Sequence, residues 1–105
     1  MYASLSTWQL DESIQGDPAY AEFVGSVLLR ELPTARDIGL LDALVIRTRA
    51  DRIVVLTVYE TEDAAEAGWA QAFEPMRDLY AGKIALIERV AGQADDMPQL
   101  TGRWS

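Results

Sequence analysis

An α+β fold is predicted by three observations. Four runs rich in alternating or β-branched residues, "YASLSTWQL", "LLDALVIRT", "RIVVLTVYE" and "KIALIERVA", are strand candidates. Two segments whose apolar residues recur at helical spacing separate the first run from the second and the third from the fourth. The middle two runs are divided only by "RAD", a hairpin signal. Strand, helix, strand, strand, helix, strand is the ferredoxin-like plan, an antiparallel sheet with two helices on one face.

Residues 2–10 alternate, with Ala3, Leu5 and Thr7 on one side and Ser4, Ser6 and Trp8 on the other. "DESIQGDP" breaks that pattern, and Asp17-Pro18 predicts a helix start. Tyr20, Phe23, Val24, Val27 and Leu28 then share one helical face. Pro33 is expected to end the helix at Leu32, because the residue before a proline is pushed out of the helical region. A loop through Gly39 is expected before the hairpin.

In the third run Ile53, Val55 and Tyr59 point one way and Val54, Leu56 and Val58 the other. Both faces of that strand are apolar. One helical layer covers only one of them, so the second face needs a further cover that this short chain has little left to provide. Thr61 caps the next helix, with Glu62 and Asp63 in its first turn where the helix dipole favours negative charge. Ala65, Trp69, Ala72, Phe73, Met76 and Tyr80 form its apolar stripe, and Pro75 predicts a kink or restart near Glu74. The last run follows Gly82.

The composition bounds the function. The chain has 105 residues, enough for a single domain. Its net charge of -8 repels nucleic acid and anionic membrane surfaces, so neither is an expected partner. Without cysteine or histidine there is no thiolate nucleophile, no Ser-His relay and no imidazole or thiolate metal site. The acid pairs Asp11-Glu12, Glu62-Asp63 and Asp95-Asp96 fall at caps and loops, where a solvated face explains them. The glycines form no phosphate-cradling loop. No metal or cofactor is expected. The first residues lack the pattern of a signal peptide, and no apolar run approaches the ~18 residues of a membrane span, so a cytoplasmic protein is expected.

The stretch "RIVVLTVYETEDAAEAGWAQAF" resembles the core of the antibiotic biosynthesis monooxygenase-like family: a strand ending in an aromatic, Tyr59, then an acid-led helix with Ala64, Ala65 and Trp69. "MYASLSTW" and "KIALIERVAG" are similar to the family's first and last strands. The resemblance implies a dimeric α/β barrel, in which two ferredoxin-like protomers press their sheets together. That arrangement would cover the second apolar face with a second copy of the chain. The residues from Gly92 to Ser105 would then be a tail reaching across the dimer, anchored by Met97, Leu100 and Trp104.

Family members that act as enzymes are cofactor-free oxygenases of aromatic hydroquinones or haem-degrading oxygenases. The second group holds iron with a histidine, and this chain has neither histidine nor asparagine. The resemblance therefore implies a cofactor-independent monooxygenase taking dioxygen and a quinol-like or polycyclic aromatic. It implies catalytic roles for Trp69, for the phenols Tyr59 and Tyr80, and for Arg77. Ser6, Trp8, Phe23, Phe73 and Met76 would bind the substrate, with Ser6, Thr7 or Gln9 replacing the family's asparagine. The alternative is a non-catalytic dimeric domain that binds a small apolar ligand or only associates. In that case the same aromatics fill the core, Trp69 is first a helix anchor, and Arg47, Arg49 and Arg52 pair with the protein's own carboxylates.

Overall fold

The computed structural model describes residues 1–95, apart from the side chains of Val27 and Glu31. Four antiparallel strands, β1 (Tyr2–Leu10), β2 (Leu40–Arg49), β3 (Arg52–Tyr59) and β4 (Ile84–Gln93), lie in the order β2-β3-β1-β4. The helical segments are α1 (Asp17–Phe23), α2 (Leu32–Ile38), α3 (Glu62–Gly68) and α4 (Glu74–Leu79). This is the ferredoxin-like α+β plan.

The strand register assigns the faces. Ser4, Ser6, Trp8 and Leu10 of β1 are buried towards the helices, as are Ile53, Val55, Thr57 and Tyr59 of β3. Trp8, Leu10, Phe23, Ile53, Met76 and Ile84 belong to one contiguous core. On the opposite face Leu44, Leu56, Leu5 and Val90 stand directly across from one another, one from each strand. Leu44 and Val90 are about half exposed, and nothing in the described chain covers this row.

Both helical layers depart from regular α geometry. Between α1 and α2 the chain passes through a π-helical turn, Val24–Leu28, and a 3₁₀ turn, Leu29–Glu31. Another π-helical turn, Trp69–Phe73, joins α3 to α4. The expected stop at Leu32 is corrected: α2 begins there, with Pro33 in its first turn. A first-turn amide has no intrahelical partner, so its loss costs nothing at that position. The expected loop before β2 is likewise helical as far as Ile38. Gly39, at φ 123°, then closes the helix in the left-handed region that glycine tolerates, its amide donating to Ala35 and Arg36 carbonyls. Gly16, not Asp17, is the cap of α1, and Asp17 sits in its first turn. The restart expected at Glu74 is found, with Pro75 in the first turn of α4.

Gly92 and Gln93 lie within β4, opposite Ala3 and Tyr2, so the strand runs further than "KIALIERVA". Met97, Leu100 and Trp104 lie outside the described residues.

Candidate functional site

A cavity of about 260 Å³ lies between the inner face of β2 and β3 and the helical layer. Its roof comes from the irregular helical stretch, through Val24, Leu28, Leu29 and Leu32. Its floor is Val45, Val55, Thr57 and Tyr59, and Ala72 and Phe73 close one side. Among the described lining residues only Thr57 and Tyr59 carry side-chain oxygen, and none of these residues carries a charge at neutral pH. Leu29 and the inner-face Val45 line the cavity while being 54% and 36% exposed, which puts its mouth between the helical layer and the β2 edge.

Tyr59 ends β3 and is 1% exposed. Its hydroxyl oxygen is buried without a hydrogen-bond partner among the described residues. Burial raises its pKa above the ordinary tyrosine value, and the nearby Arg89 charge opposes that shift. Room for the ring exists because helix α3 offers Gly68 at the point of contact.

Beside the cavity, the inner face carries a polar cluster unusual for a sheet core. The Arg89 Nε donates to Ser4 Oγ at 3.0 Å, and its terminal nitrogen donates to a Glu66 carboxylate oxygen at 3.2 Å. The same guanidinium lies 4.5 Å from the centre of the Trp69 ring, a cation–π contact. Thr57 Oγ1 donates weakly to the Ser4 carbonyl at 3.4 Å. Trp8 Nε1 donates to Ser6 Oγ at 2.8 Å. Two links join cluster and cavity: Thr57 to Ser4 to Arg89 along the floor, and Phe73, which stacks on Trp69 with ring centres 5.5 Å apart, along the side.

Of the residues expected at a site, the cavity brings together Tyr59 and Phe73. Trp69 stands one ring behind, between Phe73 and Trp8, with centres 5.5 and 6.0 Å away. Trp8, Phe23 and Met76 are buried in the core, and Ser6 is buried as the acceptor for Trp8. Tyr80 packs edge-on against Phe23, centres 6.3 Å apart, and lines a separate groove with Ser13, Glu22 and Lys83. Arg77 projects from α4, substantially exposed, 3.7 Å from Asp78. Arg47 contacts Asp17 at 3.9 Å and covers the Tyr20 ring.

Sequence reasoning missed Arg89, Ser4, Thr57 and Glu66. The signal for Arg89 was its charge in a mostly apolar run, but alternation from Ile84 and Leu86 points its neighbour Glu88 inward instead. The register explains the reversal: Trp8 faces Leu86 while Thr7 faces Glu88, so Ile87 bulges out of the ladder and Arg89 turns to the inner face.

The fold of this chain is that of solved antibiotic biosynthesis monooxygenase-like proteins. It superposes on SnoaB, a cofactor-independent oxygenase from Streptomyces nogalater, with TM-score 0.67 at 18% identity, covering 90% of this chain and 93% of that one. A candidate antibiotic biosynthesis monooxygenase from Deinococcus radiodurans gives TM-score 0.69 at 15% identity, covering 91% and 94%. A dimeric ferredoxin-like protein from an uncultured marine organism gives 0.64 at 8%, covering 91% and 96%. No family model matches the sequence, and no curated protein matches it. No described helix is long and apolar enough to cross a membrane.

Proposed function

We propose that this protein is a cofactor-independent monooxygenase acting on a quinol-like aromatic small molecule and working as a homodimer. The observation that carries this reading is an apolar cavity whose floor ends in a buried tyrosine, with an arginine held next to that floor by Ser4, Glu66 and Trp69. The likeness to SnoaB supports the fold in which such a reaction runs.

The chemistry asks little of the protein beyond orientation, water exclusion and stabilised negative charge. The substrate hydroxyl loses its proton, and the phenolate passes one electron to dioxygen. Superoxide and the substrate radical combine at a ring carbon that bears hydrogen, giving a hydroperoxide. Loss of water then leaves a carbonyl, so one oxygen atom stays in the quinone and the other leaves as water. All four electrons come from the substrate, and no external reductant is required. In this scheme the Arg89 charge stabilises the phenolate and the superoxide, Tyr59 and Thr57 orient the oxygen-bearing end, and Phe73 backed by Trp69 provides the stacking wall.

The homodimer rests on the outer row Leu44, Leu56, Leu5 and Val90, an exposed apolar stripe across the whole sheet. A second copy offers the same stripe in return.

Dioxygen uptake by the purified protein with a panel of hydroquinones, without added metal or cofactor, tests the enzyme reading. Saturable uptake that falls on the order of a hundredfold in Arg89→Gln, and falls in Trp69→Phe, is expected. Uptake at the buffer rate across the panel would reject it. One observation favours a second reading, a non-catalytic domain that binds a small apolar ligand: Trp69 is packed between Trp8, Phe73 and Arg89, with no face on the cavity.

A further inference from the structure

We infer that the cavity is shaped for a single-ring phenol or quinol bearing a short unbranched alkyl chain, and not for a plate of three or four fused rings. This rests on the reading above for the ring, and on the cavity alone for the chain.

Volume is the first argument. A dry apolar cavity of about 150 Å³ accepts benzene, and drug-sized ligands occupy about 300–1,000 Å³. At about 260 Å³ this cavity has room for one ring and a few methylenes.

The distribution of chemistry is the second. Among the described lining, side-chain oxygen comes only from Thr57 and Tyr59 of β3, and the Tyr59 hydroxyl reaches across to Gly68 of α3, so the polar end lies where β3 meets α3. The described roof above them is aliphatic: Val24, Leu28, Leu29 and Leu32 from the helical layer. A ligand with one hydroxylated end and one hydrocarbon end matches this gradient, its hydroxyl at the floor and its chain beneath the helical roof. A carboxylate or phosphate at the chain end would meet no cation among the described lining residues. The partly exposed Leu29 and Val45 mark where a longer chain would emerge into water.

Anaerobic calorimetry with 2-n-alkylhydroquinones from the unsubstituted ring to n-heptyl, and with anthrone as the fused-ring comparator, tests the inference. Affinity should rise roughly fourfold per methylene, the equivalent of ~0.8 kcal/mol for each CH₂ removed from water, and level off near n-pentyl as the tail reaches the mouth. Ala72→Phe, which fills the cavity, should flatten the series. Val45→Trp should do the same from the floor near the half-open β2 edge, where a large side chain is tolerated even if the buried substitution is not. A flat series in the wild type, an unflattened series in a folded variant, or tighter binding of anthrone overturns the inference. Dioxygen uptake on the same compounds separates the two readings. A chain-length trend in binding without uptake upholds the cavity assignment and rejects the oxygenase, whereas uptake indifferent to chain length does the reverse.

Discussion

The ring of Tyr59 occupies the space that a side chain at position 68 would need. A Cβ on Gly68 would lie 2.6 Å from the Tyr59 Cζ and 2.8 Å from Cε1, closer than real contacts allow. Strand β3 and helix α3 approach each other this nearly only because that residue is glycine. Gly68→Ala should therefore destabilise the protein by about 1–3 kcal/mol through overpacking, outweighing the ~1 kcal/mol that alanine gains in a helix. Urea unfolding checks this. Combining it with Tyr59→Ala should cost less than the sum of the two single changes, since the obstacle is then gone.

Tyr59→Phe removes a buried hydroxyl that has no partner among the described residues, so the variant should be as stable as the wild type or up to about 1 kcal/mol more stable. Under the oxygenase reading it should also turn over more slowly. The phenol's raised pKa adds a pH signature. Its stabilising effect is complete below the unfolded tyrosine value of about 10 and disappears as pH rises through the higher folded value. Wild-type stability measured across the alkaline range should fall where Tyr59→Phe does not.

Arg89 holds Ser4, Glu66 and the face of Trp69 at once. Arg89→Gln should cost about 1–3 kcal/mol, the range for a charge-assisted hydrogen bond with a cation–π contact at a half-buried site. Arg89→Lys should recover only part of this, because a compact ammonium cannot reach three partners in the plane of a guanidinium. Thermal unfolding gives the first quantity, and the tryptophan fluorescence spectrum, perturbed when the cation leaves Trp69, gives an independent reading.

Leu5→Lys and Leu56→Lys place charge in the middle of the outer apolar row. Each should convert a dimer to a monomer in sedimentation or light scattering. The cavity lies on the other face of the sheet, so a folded monomeric variant should keep its affinity for an alkylhydroquinone within a few-fold.

Alternation and capping made the architecture legible. Ile53, Val55 and Tyr59 go to one face as their period of two requires, and Thr61 Oγ1 accepts from the Ala64 amide at 3.1 Å as an N-cap should. Two features escaped for definite reasons. Pro33 looks like a terminator, but the same missing amide suits the first turn of a new helix, and local sequence does not say which side of the proline is helical. Arg89 escaped because one bulged residue inverts the alternation after Leu86, a consequence of pairing with β1 that the strand itself does not encode. Aromatic and thioether side chains drew attention to Trp8, Phe23 and Met76, which are core, while the aliphatic roof carried no chemical label at all.

The π-helical turn at Val24–Leu28 gives the cavity roof a phase as well as a composition. Successive helical residues step about 100° around the axis, and a π turn holds an additional residue without breaking the helix. Deleting that additional residue would let the turn rewind as α while Leu29 and Leu32 keep their phase towards the sheet. In this chain the roof over the cavity can thus be shortened by one codon without turning its leucines outward, a class of mutation that most helices resist.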